Sequence, residues 1–196
     1  AGVSASQVEI QSGIQFYDGI STAEIQEILI KSASDLIDLD HPNYQYVAAR
    51  LLLFSVKKSL YGRMHDTPIL KNHVVKCVEK GIYDEEILNL YDDEEFDKLQ
   101  GIIDHERDYL FTYEGLSQIV DKYLVQDRSS GAIYETPQDM YMMIAATLFA
   151  DYPTKSRMSY VKKYYDAISQ HKINIPTPVM AGVRTPIRQF ASCVLV

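Results

Sequence analysis

The side chains in this 196-residue chain that could do chemistry are few, and most also have an ordinary structural use. Cys193 lies in an apolar run with Phe190, Val194, Leu195 and Val196. Taken alone, a thiol so placed reads as a small buried hydrophobe. Cys77 sits on an apolar helical face and reads as core, and the two cysteines form no metal spacing. Thr177 and Ser192 read as loop and strand hydroxyls that satisfy backbone groups. Arg184 and Arg188 are long enough to reach phosphate, although a structural ion pair is the commoner role. Asp104-His105-Glu106-Arg107-Asp108 gathers metal-ligand types, but no second His follows at the spacing of a zinc helix, so a charged face or ion-pair network is expected. Thr22 reads as a helix cap and Lys58 as a solvated cation.

These groups need positioning, and the hydrophobic pattern supplies mostly helices. Residues 6–17 form a short helix closed by the Asp18-Gly19 turn. Ser21 or Thr22 caps the next, with Glu24 in its first turn and a stripe of Ile25, Ile28, Leu29, Ala33, Leu36 and Ile37. His41-Pro42-Asn43 breaks it. Residues 44–60 make a third helix with Val47, Leu51, Phe54 and Leu60 inward, and with Arg50, Lys57 and Lys58 open to solvent or ligand. Tyr61-Gly62 stops it. From 68 to 172 the pattern stays helical. Pro68 opens and Gly81 closes a helix holding Val74, Val75 and Cys77, residues 85–91 make another, and Asp92-Asp93-Glu94-Glu95 start one with acids at its favourable end. Tyr123-Leu124-Val125 and Ile133-Tyr134-Glu135 flank a turn at 127–131 and read as a small hairpin. Thr136-Pro137 opens an apolar helix over 140–150, and 155–171 is amphipathic with Val161, Tyr164, Tyr165 and Ile168 inward. Pro176, Pro178 and Pro186 then impose a loop, and 189–196 turns to β composition as a short buried strand. The fold class is mainly α: a helical bundle with one hairpin and a C-terminal strand.

Bulk properties narrow the function by exclusion. A net charge of −8 argues against a nonspecific nucleic-acid binder, which needs a basic stripe. No run of ~18 apolar residues suits a membrane span, and the first ten residues lack the basic start and apolar stretch of a secretory signal. Two distant cysteines suit a reducing cytoplasm. No internal repeat or low-complexity tract interrupts the chain.

Several segments then add a resemblance. Pro176-Thr177-Pro178, Gly182-Val183-Arg184-Thr185-Pro186 and Arg188-Gln189-Phe190-Ala191-Ser192-Cys193 closely resemble the signature PTPxMxGxRTPxRQFSSC of the large, catalytic subunit of class I ribonucleotide reductase. Gln15-Phe16-Tyr17-Asp18-Gly19, Pro42-Asn43-Tyr44-Gln45-Tyr46-Val47-Ala48-Ala49-Arg50, Asp104-His105-Glu106-Arg107-Asp108 and Lys122-Tyr123-Leu124-Val125 look like further family segments, in the family's order. The likeness covers essentially the whole chain. Ala191 departs from it, standing where the family usually has a serine.

The resemblance implies a partial ATP-cone over 1–62, the helical N-terminal domain over 63–174, and a substrate loop with the first strand of the family's ten-stranded α/β barrel over 175–196. It implies that Cys193 is one of two substrate-reducing cysteines, that Thr177 contacts the ribonucleoside diphosphate and that Ser192 lies beside the ribose. Hydroxyls without fixed charge suit sugar and polyphosphate oxygens. Thr22 and Lys58 match positions of the cone that senses ATP or dATP. Glu24 and Gln26 stand where many members carry Asp and His, and the cone's basic opening hairpin is absent here, so a nucleotide site formed by these residues alone is expected to be incomplete. The other active-site cysteines are also absent, so this chain alone is expected to be inactive. Its expected partners are the rest of the large subunit, the radical-generating small subunit with its metal, and thioredoxin or glutaredoxin, with no nucleic acid and no membrane. The open edge of a lone barrel strand would demand the first of these. The reading from a different class is a non-catalytic nucleotide-sensing or assembly module.

Overall fold

The computed structural model describes residues 2–62, 67–127, 129–187 and 190–191. Three helices lead: α1 (Ala5–Gly13), α2 (Thr22–Asp35) and α3 (Tyr44–Tyr61). α1 is shorter than the sequence pattern over 6–17, and Ile14, just past its end, is 80% exposed. The cap of α2 is Ser21, not Thr22. The Ser21 hydroxyl accepts from the Glu24 N–H at 3.2 Å, and the Glu24 carboxylate accepts from the Ser21 N–H at 3.0 Å. α3 ends at Gly62, whose φ of 74° is the left-handed geometry that a side chain resists. Val8, Ala33, Tyr44 and Ala48 form a small core among these helices.

α3 buries a wider arc than an amphipathic stripe. Val47, Leu51, Phe54 and Leu60 are only half-buried, while Tyr44, Ala48, Ala49, Leu53 and Val56 are fully inside. The helix packs against both α2 and α7 (Tyr113–Gln118), so it has more than one face to fill. Its first turns belong to the small core, and Ala49, Leu53 and Val56 belong to the main one. The expectation that Lys57 reaches solvent is overturned, because it is buried and faces Asp108.

The main core is built by α4 (Leu70–Glu79), α5 (Glu86–Leu90), α6 (Asp93–Ile102), a 3₁₀ helix (His105–Leu110), α7 (Tyr113–Gln118), α8 (Pro137–Leu148) and α9 (Thr154–Ser169). α8 is its axis. Every residue from Met140 to Ala146 is buried, as befits a helix apolar all round. Its polar first turn is buried too, and satisfied. Thr136 and Asp139 form a capping box, and Gln138 donates to Asp108 at 2.9 Å while accepting from the Tyr165 hydroxyl at 2.7 Å. α9 packs on α8 and is tied to α6 by the buried Arg157–Glu95 pair.

Two places depart from the sequence pattern. Tyr123, expected to open a strand, instead ends a π-helical turn over Ile119–Tyr123. The hairpin itself is short: β1 (Gln126–Asp127) pairs antiparallel with β2 (Ala132–Ile133), Gln126 opposite Ile133. The proline-rich loop contains a helix, α10 (Thr177–Gly182). Pro176 as its cap and Pro178 in its first turn fit positions whose N–H groups have no intrahelical partner, so proline starts this helix rather than preventing it. The strand expected over 189–196 lies outside the described residues.

Candidate functional site

Thr177 stands exposed at the start of α10. Its Oγ1 lies 3.3 Å from the Tyr123 hydroxyl. Beneath the pair, Arg184 is fully buried and acts as a hub. Its Nε donates to Glu135 Oε2 at 2.8 Å, and one Nη donates to the other Glu135 oxygen. The remaining Nη–H groups reach the carbonyl of Met180 on α10 and the carbonyl of Tyr123, the latter at 2.9 Å. Glu135 in turn accepts from the Tyr83 hydroxyl at 2.6 Å and from the Val125 N–H at 2.7 Å. Burial, and then the Glu135 carboxylate, push the Tyr83 hydroxyl well above its ordinary range, so it remains a donor. Both charges are therefore paired and their forks filled, the condition under which a buried ion pair is tolerated. Arg184 serves the structural role that its residue type favours, and Arg188 lies outside the described residues.

The local chain explains the rest of the motif. Gly182 approaches the Ile187 carbonyl so closely that an added Cβ would sit 3.0 Å from it. Thr185 closes the turn by donating its hydroxyl to the Gly182 carbonyl at 2.9 Å. A cavity of about 530 Å³ opens between Gly81–Ile82, the 122–126 stretch and the 178–187 segment, and Ala191 also lines it. A second, of about 480 Å³, lies between Phe111, Tyr141, His171 and Met180 and shares Tyr123 with the first. Ser192 and Cys193, the expected ribose neighbour and reducing thiol, lie outside the described residues.

The two candidate effector residues occupy one end of a helix pair. α2 and α3 pack as neighbours joined by a short loop, and the Gln26 amide donates to the Leu51 carbonyl at 2.9 Å. Such a hairpin runs antiparallel, which puts Thr22 at the start of α2 near the level of Lys58 late in α3. Both are exposed, and the Lys58 ammonium lies 6.0 Å from the Phe54 ring centre.

The remaining candidates are structural. Cys77 is buried and its thiol is pushed up to about 12, first by burial and then by Glu135 and Asp139, which removes nucleophilic character. In the charged run, Arg107 donates to Asp104 at 3.2 Å and faces Asp166 at 2.8 Å, while Asp108 faces Lys57. Among the described residues no cluster suits a metal ion. Tyr123 and Glu135 are the site residues that sequence reasoning did not single out. The available signal was a buried Arg in want of an acid, but nothing local says that the acid lies 49 residues upstream.

The ATP cone domain family matches residues 3–59, and the family "Ribonucleotide reductase, all-alpha domain" matches 109–188. The chain is 54% identical over 194 residues to ribonucleoside-diphosphate reductase 1 subunit alpha of Escherichia coli (strain K12), covering 99% of this chain and 25% of that protein. It is 53% identical to subunit alpha of Haemophilus influenzae, with 99% and 26% covered. It is 45% identical to subunit alpha of Enterobacteria phage T4, with 100% and 26% covered. The chain thus spans about a quarter of the length of these curated relatives. No described helix is long and apolar enough to cross a membrane. With an ATP cone, the all-alpha domain and about half its residues identical over nearly its full length, the chain belongs to the ribonucleoside-diphosphate reductase alpha-subunit family and corresponds to that subunit's N-terminal portion.

Proposed function

We propose that this chain supplies the N-terminal part of a catalytic subunit that reduces ribonucleoside diphosphates in the cytoplasm for DNA synthesis. Its modules are a partial nucleotide-sensing cone over 1–62, a helical domain over 63–174 and a substrate segment over 175–196. Thr177 contacts the diphosphate, Ser192 lies beside the ribose and Cys193 is one of two reducing thiols. Those thiols together give up two protons and two electrons. The 2′ hydroxyl leaves as water, hydrogen replaces it, and the sulfurs close into a disulfide that thioredoxin or glutaredoxin reopens by exchange. The second thiol and the radical-forming cysteine come from the rest of the subunit, and the radical comes from the metal-containing small subunit.

The observation that carries this reading is the setting of Thr177. Its hydroxyl is exposed on a helix anchored by a buried ion pair, and the adjoining cavity extends to Ala191, two residues from Cys193. Rigid placement of this kind is what a substrate contact requires. In the full-length subunit, Cys193→Ser is expected to abolish turnover while leaving subunit assembly intact. Retained turnover would overturn the assignment.

The cone match favours a second reading, a nucleotide-sensing or assembly module without catalysis. ATP or dATP binding that persists, with no consequence of Cys193→Ser in the assembled enzyme, would select it.

A further inference from the structure

We propose that Arg184 is a positioning residue for the substrate, because it holds both sides of the Tyr123–Thr177 hydroxyl contact at once. The inference rests on the assignment of Thr177 as a diphosphate contact and extends it to two residues that never need to touch the substrate covalently.

The geometry forms a closed ring. From Thr177 the chain runs through α10 to Met180, whose carbonyl accepts from Arg184. A second Nη–H of Arg184 reaches the Tyr123 carbonyl at 2.9 Å, and the Tyr123 hydroxyl returns to Thr177 at 3.3 Å. One guanidinium therefore fixes the backbone under each partner of the exposed pair. Glu135 locks the guanidinium in place through the opposite edge of its fork, and the Arg184 carbonyl accepts from the Asp84 N–H at 3.0 Å. Lysine cannot replace such a planar hub, since one ammonium cannot face a bidentate carboxylate and two divergent carbonyls in the same plane.

A merely structural arginine would show itself differently. Its loss would lower stability and leave the substrate constants of the surviving enzyme alone. A positioning arginine acts through Thr177, so its loss should mimic the loss of the Thr177 hydroxyl and add little to it. Tyr123 should behave in the same way at smaller amplitude, since only one link of the ring is cut.

The test is a mutant cycle on the full-length alpha subunit assembled with its small subunit, assayed for CDP reduction. Thr177→Val is expected to raise KM about tenfold with kcat changed less than about twofold, the pattern for loss of a binding contact. Arg184→Lys is expected to do the same, Tyr123→Phe to raise KM about threefold, and either change combined with Thr177→Val to add less than about twofold. Tyr123→Phe leaves the buried ion pair untouched, so it decides the matter if Arg184→Lys does not fold. If Thr177→Val leaves KM unchanged, the substrate assignment fails and this inference falls with it. If Thr177→Val raises KM but Tyr123→Phe does not, or if the effects multiply fully, the assignment stands and the positioning role is overturned.

Discussion

Lys57 and Asp108 face one another inside the protein, Nζ to Oδ2 at 3.6 Å, with their side chains 10% and 0% exposed. The pair joins α3, whose first turns pack in the small N-terminal core, to the 3₁₀ helix beneath α8. Tyr61, at the end of α3, makes a second tie by donating to Asp139 at 2.7 Å. The cone-like helices are thus fixed to the rest of the chain through buried polar groups, which tolerate little misplacement.

Stability should respond to pH at this point. Asp108 is pushed up to about 7 by burial, against the pull of the Gln138 amide and the Lys57 ammonium. Its unfolded carboxyl has the ordinary lower value, so between about pH 4 and pH 7 the folded chain keeps a proton that the unfolded chain has released, and stability falls as pH rises through that window. Lys57→Met removes the nearby cation and leaves ionised Asp108 uncompensated. We expect little difference from the wild type at pH 5, where the carboxyl is protonated in both, and a deficit of about 2–3 kcal/mol at pH 8. Urea unfolding at the two pH values measures it, and an equal deficit at both would exclude the ion pair as its source.

A second buried pair makes a sharper distinction between cations. Arg157 donates through Nε to Glu95 at 2.6 Å, reaches the other Glu95 oxygen through one Nη and the Ala150 carbonyl through the other at 3.1 Å, and lies 4.3 Å from the Tyr91 ring centre. Arg157→Lys keeps the charge but loses the fork and the stacking. It is expected to cost roughly 2 kcal/mol, with the thermal midpoint as the readout. A change within experimental error would show that charge alone holds α6 to α9.

The helix stop at Gly62 gives a backbone test. Its φ is 74°, and an added Cβ would meet nothing within 4 Å among the described residues. Gly62→Ala therefore isolates conformational strain from crowding, and a loss of about 1 kcal/mol in thermal unfolding is expected. A neutral result would mean that the end of α3 relaxes into another conformation.

What the sequence made legible was chiefly local. Ser21 with Glu24 and Asp92 with Glu95 announce helix starts because the bonding partners lie three residues apart. The turn at Gly62 and the apolar run of α8 are local signals too. The burial of Lys57 is not legible because a single stripe assumes one buried face, whereas α3 packs against several elements. α10 is hidden in the sequence because its prolines read as breakers, although the first turn of a helix accepts them. The Tyr123–Thr177 contact spans 54 residues and the Arg184–Glu135 pair 49, so no periodicity could announce either. The resemblance named Thr177 without saying what holds it in place.

Lys58, one residue beyond the buried Lys57, provides the effector test. It is exposed near the level of Thr22, where a bound nucleotide's phosphates would gain a cation at little desolvation cost. Because its side chain packs only loosely on Phe54, Lys58→Gln should leave the thermal midpoint within about 1 °C of the wild type. If the reading of the cone is right, ATP affinity by titration calorimetry falls about fivefold in the full-length subunit, a loss in keeping with a single exposed charge contact. The dependence of that affinity on ionic strength should also weaken, because one screened attraction has been removed. Unchanged affinity with an unchanged salt dependence would move the phosphate site away from this end of the α2–α3 pair.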